Sequence, residues 1–299
     1  MKDGSQGLKW GRSSAIHLTA VASLLSILAM GIIGCEPKRI DNYSTQAQAA
    51  QAVDIQQPQA AEIFPSSDPK QARIAHEIMA DPVRFMHQVA DRVAKLEQYR
   101  FIFYRQERLG SISPKLAPME EIETTFRQRP FSVKFVWDDP ATPYFESVYV
   151  EGQNDNKLLV RERKGALPLL APQVRAVDVM FPVKIGKCKN PVTDFGLDRL
   201  MQRSLLTFND PEVARATAIQ YKGLIMLEPS HRPAFYLRID RPKSPNITYT
   251  RQDLYFDAQT LLPAGTDVYL PGDVLDGRYR YVDVNTDVQI SDADFSIGE

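Results

Sequence analysis

Four groupings of side chains in this sequence are of types that perform chemistry. They are Cys35, Cys188 between Lys187 and Lys189, His231 in the run Pro-Ser-His-Arg-Pro, and the pair Asp138-Asp139. A thiol attacks as its thiolate, and flanking lysines favour that form. Nucleophilic catalysis also needs a base, and no histidine lies near Cys188 in sequence, so this thiol reads as packed rather than reactive. His231 stands between prolines, which places it in a loop connecting strands. Asp138-Asp139 is followed by Pro140, a turn pattern before it is a metal or acid/base pair. The run Asp-Val-Leu-Asp-Gly-Arg-Tyr at 273–279 sets acids beside a glycine without the spacing of a calcium loop. There is no Gly-x-Ser-x-Gly elbow, His-Glu-x-x-His pair, Walker loop or dinucleotide fingerprint. These residue types point away from an enzyme, and no cofactor or metal is expected.

Charge and composition narrow the classes further. The 299 residues hold 36 Lys+Arg against 37 Asp+Glu, a balance unlike that of a protein built to coat nucleic acid. Two cysteines and four histidines exclude a disulfide framework or a Cys/His-rich metal domain. With 43% hydrophobic residues the chain can build a sizeable core in one or two domains.

The amino terminus reads as an address. Lys2, Lys9 and Arg12 precede an apolar stretch over about 15–33, the physical form of an export signal. The stretch ends Ile32-Ile33-Gly34-Cys35, which resembles the lipobox of bacterial lipoproteins. The resemblance implies cleavage between Gly34 and Cys35, a diacylglyceryl thioether on Cys35 and acylation, typically with palmitate, of the new amino terminus. An uncleaved signal anchor is the competing reading, because the apolar run nearly spans a bilayer. His17 and the Ser/Thr content weigh against it. Two or three acyl chains hold a protein firmly where one does not. Glu36, where some bacteria read Asp as an inner-membrane signal, favours the outer membrane, with the chain facing the periplasm. Residues 35–69, rich in Gln, Ala, Ser and Pro, read as a flexible tether after the 1–34 signal, leaving 70–299 as the folded domain.

Within that domain Asp81-Pro82 opens a helix, and Phe85, Met86, Val89, Val93 and Leu96 give it one apolar stripe. His87, Asp91, Arg92 and Lys95 fall on its wet side. From Tyr99 the period drops to two: strands are expected over 99–108, 121–129 and 131–137, and a hairpin over 147–163. A second helix, capped by Thr193 or Asp194, carries Leu197, Leu200, Met201 and Leu205. Strands return over 218–227, 234–240, 249–257, 262–270 and 279–290, with Gly272-Asp273 and Asp276-Gly277 as turns. Nine or ten strands and two helices make an α+β domain with a curved, barrel-like antiparallel sheet.

The element order resembles that of the periplasmic lipoprotein-carrier superfamily of LolA and LolB folds. The likeness lies in Phe126-Arg127-Gln128-Arg129-Pro130-Phe131-Ser132-Val133-Lys134-Phe135-Val136-Trp137 and in the late hairpin Asp-Leu-Tyr-Phe-Asp-Ala-Gln-Thr-Leu-Leu-Pro of 253–263. More narrowly, the FRQRPFSV strand, the FPVKIG loop at 181–186 and the terminal run at 279–295 resemble the family called domain of unknown function 1571. These resemblances imply an incomplete antiparallel barrel whose helices cover the concave face over an apolar cavity. They imply non-catalytic binding of a lipid, an acylated protein or another amphiphile. An envelope scaffold with a filled core is the alternative, and an unrecognised enzyme a third. The ligand-facing set expected from alternation is Phe131, Val133, Phe135 and Trp137, with Leu237, Ile239 and Val268. Arg127 and Arg129 are placed either at the rim for an anionic head group, or in pairs with Glu121, Glu123 or the acidic C-terminal strands.

Overall fold

Two aspartates set the start of the fold. The side chain of Asp68 accepts from the Lys70 amide at 2.8 Å and opens α1 (Pro69–Ala80); that of Asp81 accepts from the Arg84 amide at 2.9 Å and opens α2 (Pro82–Val93). Each cap satisfies an otherwise orphaned donor, and proline follows where its missing N–H does no harm. The α2 stripe is as expected: Phe85, Met86, Val89 and Val93 are buried. α1 is an addition, because Ile74 and Ile78 alone make its buried face and leave a weak period. Burying six such side chains contributes roughly 1.5–3 kcal/mol each.

The computed structural model describes residues 68–110, 113–163, 174–242 and 248–298. Gly34, Cys35, the signal segment and the tether lie outside the described residues. Residues Asp54–Glu299 group as one compact unit, and the main hydrophobic cluster within it runs from Ile74 to Tyr281.

The strands are β1 (Gln98–Leu109), β2 (Lys115–Leu116), β3 (Glu120–Arg127), β4 (Ser132–Val136), β5 (Tyr144–Val150), β6 (Leu158–Glu162) and β7 (Val174–Val177). Three helices follow, α3 (Phe181–Lys184), α4 (Leu197–Leu205) and α5 (Pro211–Ala216). The chain then runs through β8 (Ala218–Leu227), β9 (Arg232–Asp240), β10 (Arg251–Asp257), β11 (Pro263–Leu270) and β12 (Val274–Asn285). They form one antiparallel sheet in the order β7-β6-β5-β4-β3-β1-β12-β11-β10-β9-β8, with the short β2 beside β1. β7 and β8 end the path without pairing to each other, so the sheet is an incomplete barrel. The long-range β1–β12 ladder, with Phe103 opposite Tyr281, joins its two halves.

Three expectations about elements need correction. Asp276-Gly277 is not a turn: both residues lie inside β12, where Gly277 pairs with Glu107 and Val268, and the strand ends at Asn285 rather than 290. Neither Thr193 nor Asp194 caps α4. They form a 3-10 turn, and Gly196 takes the N-cap position at φ 122°. A Cβ there would stand 2.8 Å from Asp198 Oδ1 and 3.0 Å from the Phe126 ring, so glycine answers both strain and crowding. The strand count is twelve, because the two-residue β2 and four-residue β7 are too short to show a period.

The outer face of the sheet is polar yet partly buried. Asp267, fully buried, takes Arg280 at 2.6 Å and Arg278 at 3.3 Å, and Arg251 meets Asp253 at 2.6 Å. The Arg251 guanidinium lies 4.1 Å from the Tyr269 ring centre and that of Arg280 4.8 Å from Tyr255, so tyrosines roof the charges. Farther along, Glu146 is held by Lys134 at 3.0 Å and Arg161 at 2.6 Å. The C-terminal 3-10 turn Asp292–Phe295 lies over this face: Phe295 packs with Val148 and Val150, and Asp294 pairs with Arg100. Among the described residues no helix is long and apolar enough to cross a membrane.

Candidate functional site

The inner face divides into two regions. Over β8–β10 it is filled: α1, α2 and α4 cover it, Phe85 meets Phe256 edge to face at 5.2 Å, and Leu237, Ile239 and Phe256 are fully buried. Tyr99 ties α4 down, its hydroxyl accepting from the Leu197 amide at 3.0 Å. Elsewhere the inner face encloses a cavity of about 850 Å³, bordered by strands from both halves of the sheet, the 181–196 segment and α4. That volume lies toward the upper end for a small-molecule site.

Aromatic side chains make its walls. Phe103, Phe135, Trp137, Phe195, Tyr279 and Tyr281 all line it. Phe195 is the hub, with its ring centre 4.8 Å from Phe135, 5.1 Å from Phe103 and 6.0 Å from Phe101. Sequence reasoning did not single it out, since it stands in a loop just before Gly196 with no periodicity to mark it. Tyr279 and Tyr281 alternate with Arg278 and Arg280 in β12, so the inward period was present in the sequence.

The expected ligand-facing residues fall in three places. Phe135, Trp137 and Val268 line the cavity. Phe131 and Val133 point to the same side of the sheet but into packed core, where Phe131 rests on Phe126 at 5.5 Å and Tyr149 at 5.9 Å. Leu237 and Ile239 belong to the helix-covered region. The arginines do not line the cavity. Arg127 pairs with Asp292 at 2.7 Å, donates to Ser132 Oγ at 3.1 Å and lies 4.8 Å from the Phe295 ring centre, which is the pairing with the acidic C-terminal segment that the sequence allowed. Arg129 is exposed in the β3–β4 turn, before a cis Pro130.

A charged margin borders the aromatic walls. Buried Glu107 accepts from the Tyr279 hydroxyl at 2.7 Å and the Lys189 amide at 3.1 Å, while Lys189 Nζ pairs with Asp276 at 2.7 Å. Arg105 meets Glu120 at 2.7 Å. Cys188 lines the cavity beside them, and burial, outweighing the nearby Arg105, pushes its thiol up to about 11. The flanking lysines therefore do not activate it. Phe181 and Ile185 line the cavity and are partly exposed, at 45% and 48%.

The remaining candidates lie elsewhere. His231 is exposed in the β8–β9 turn with Nδ1 3.0 Å from Glu228 Oε1. Asp139 accepts from the Ala141 amide at 2.8 Å, as a turn residue does. Neither lines the cavity. Among the described residues no three His, Cys, Asp or Glu side chains group to hold a metal.

An open antiparallel sheet with helices over part of its concave side and a cavity beneath the rest is the class of fold that the LolA/LolB resemblance implied. The chain belongs to the family described as Protein of unknown function (DUF1571), whose sequence model matches residues 96–299. Among solved structures it is similar to MucB, with 17% identity and a TM-score of 0.42 over 73% of this chain and 63% of that one. The chain thus spans less than two thirds of MucB, which is also known in a complex with MucA from Pseudomonas aeruginosa. It is similar to lipoprotein LppX of Mycobacterium tuberculosis, with 11% identity and a TM-score of 0.40 over 71% of this chain and all of that one. A LolA superfamily protein from Nitrosomonas europaea aligns over 72% of this chain and 96% of its own, with 8% identity and a TM-score of 0.31. No protein with a curated functional description matches the sequence.

Proposed function

We propose that this chain is a bacterial envelope lipoprotein whose domain binds the apolar part of a lipid, an acylated protein or another amphiphile, without catalysing a reaction. Acylated Cys35 holds it to a membrane, the outer one by the Glu36 criterion, and residues 35–69 let the domain range from the anchor into the periplasm. The observation that carries this reading is the cavity of about 850 Å³ walled by Phe103, Phe135, Trp137 and Phe195. Aromatic walls with a charged margin favour a ligand that is apolar along its length and polar at an end. The two acid/base candidates outside the cavity, His231 and Asp139, are engaged in an ion pair and a turn, which supports binding over catalysis.

The competing reading is a scaffold with a filled core, favoured by the helix-covered region over β8–β10. Trp137 separates the two, because it is the single tryptophan of residues 54–299 and lines the cavity. Titrating that unit with a palmitoylated peptide should shift Trp137 emission saturably, and Phe135→Asp should abolish the shift. A flat titration with every acylated probe favours the scaffold. The anchor has its own test: cells fed labelled palmitate should label the wild-type chain and not Cys35→Ser. Equal labelling of both removes Cys35 from the account.

A further inference from the structure

Arg241 follows Phe235, Leu237 and Ile239 on the inward period of β9, and it is only 5% exposed. Nε donates to Thr207 Oγ1 at 2.7 Å, and Nη2 to Gln252 Oε1 at 2.6 Å and the Ser204 carbonyl at 3.4 Å. The guanidinium stands 4.9 Å from the Tyr249 ring centre. Nη1 has no hydrogen-bond partner among the described residues. Every acceptor it does have is neutral.

That situation is unusual for the sheet. The other two buried arginines, Arg278 and Arg280, share the Asp267 carboxylate on the outer face. The carboxylate nearest Arg241 in sequence, Asp240, is turned to the outer face by the alternation and takes Arg238 at 2.8 Å. A buried cation without a counter-charge is costly to keep, and a designed anion partner relieves that cost. Burial lowers the Arg241 pKa, against weaker opposing effects of Tyr249 and Asp240.

Its surroundings lead to the cavity. Gln252 and Tyr249, which touch the guanidinium, line the cavity, as do Thr248 and Thr266. Gln252 Nε2 is itself held by Ser204 Oγ at 2.9 Å and Thr266 Oγ1 at 3.2 Å. Arg241 itself lies behind Gln252 and Tyr249 rather than on the lining; Arg203, one residue before Ser204, does line the cavity, and its nearest carboxylate, Asp194, is 3.9 Å away. This seam separates the helix-covered region of the inner face from the open one.

We infer that the seam is an anion subsite, in which Arg203, Gln252 and Tyr249 on the cavity wall, backed by the uncompensated charge of Arg241, receive the carboxylate or phosphate-ester head of an amphiphile whose chain lies against Phe135, Trp137 and Phe195. The inference rests on the cavity being the ligand site. It assigns to Arg203, backed by Arg241, the head-group role that the sequence offered to Arg127 and Arg129.

Residues 54–299 are titrated with hexadecanoate, hexadecyl phosphate, hexadecanol and inorganic phosphate, with Trp137 emission and calorimetry as readouts. The two anionic chains are expected to bind about tenfold or more tighter than hexadecanol, as charge-assisted hydrogen bonds require. Inorganic phosphate should neither bind nor displace them at equal concentration. Arg241→Met should bring the acid and alcohol affinities together. The wild-type comparison does not depend on that variant folding, and Gln252→Leu offers a milder second change that should narrow the same gap. Equal binding of acid and alcohol by the wild type overturns the subsite and leaves the cavity standing. Displacement of hexadecanoate by inorganic phosphate overturns the amphiphile head group in favour of a free anion. Failure of all three chains to bind overturns the subsite and the binding function together.

Discussion

Phe195 meets Phe135 edge to face, with ring centres 4.8 Å apart and planes at 87°. One residue comes from the loop before α4 and the other from β4, so this pair joins the helical layer to the far wall of the cavity. Edge-to-face contacts add about 0.5–1.5 kcal/mol to the burial they accompany. Phe195 is only partly buried, so Phe195→Ala should cost about 2–3 kcal/mol in urea unfolding, below the full range for a buried Phe. The same variant should weaken binding of acylated probes. Unchanged stability and unchanged binding would show that the loop does not close the wall.

The outer-face charges set a pH dependence. Burial alone would raise the Asp267 carboxyl, yet Arg280 and Arg278 hold it below the usual range. Glu146 is lowered in the same way beside Lys134 and Arg161, and Asp257 beside Arg232. Groups depressed in the folded state stabilise it above their unfolded pKa, and that stability is lost as pH falls through the folded value. Asp253 works in the opposite sense, because burial keeps it raised despite Arg251. Asp294 is lowered too, by hydrogen bonds from Ser291 and by Arg100, so with four depressed groups against one, unfolding free energy should fall as pH drops below about 4. Asp267→Asn should flatten that slope and, by removing the carboxylate that Arg278 and Arg280 share, cost about 3–5 kcal/mol at neutral pH. Urea unfolding across pH 2–7 checks both, and an unchanged slope in the variant would contradict the assignment.

Cys188 should be slow to modify. With its thiol pushed up to about 11, the thiolate fraction at pH 8 is roughly two orders of magnitude below that of a free cysteine. Reaction of residues 54–299 with a disulfide reagent should be correspondingly slow. It should slow further when an acylated probe fills the cavity, because Cys188 lines it. Labelling at the rate of an unfolded control would place the thiol in solvent instead.

The fold was legible wherever one period persisted over several residues. The α2 stripe and the alternation from Tyr99 to Phe103 each bury one face of a regular element, and the strands from β8 to β11 form where the sequence placed them. The cavity was legible only in part, for a physical reason. Alternation tells which side of a strand a residue faces, and it correctly put Phe131, Val133, Phe135 and Trp137 on one side. It does not tell where helices fill that side, which separates Val133 from Trp137. Phe195 and Gly196 act through a loop geometry that no period encodes. Arg241 is inward by alternation, but only the helix packing over Ser204 and Thr207 shows that it has no carboxylate partner among the described residues.

The central claim is that the cavity holds an amphiphile, and native mass spectrometry tests it most directly. Residues 54–299 are purified without detergent from an expressing bacterium. Extra mass that leaves on denaturation and yields lipid on extraction is the predicted result. A bare polypeptide mass, unchanged after incubation with phospholipid or acylated peptide, would contradict the account and turn the search to protein partners of a filled scaffold.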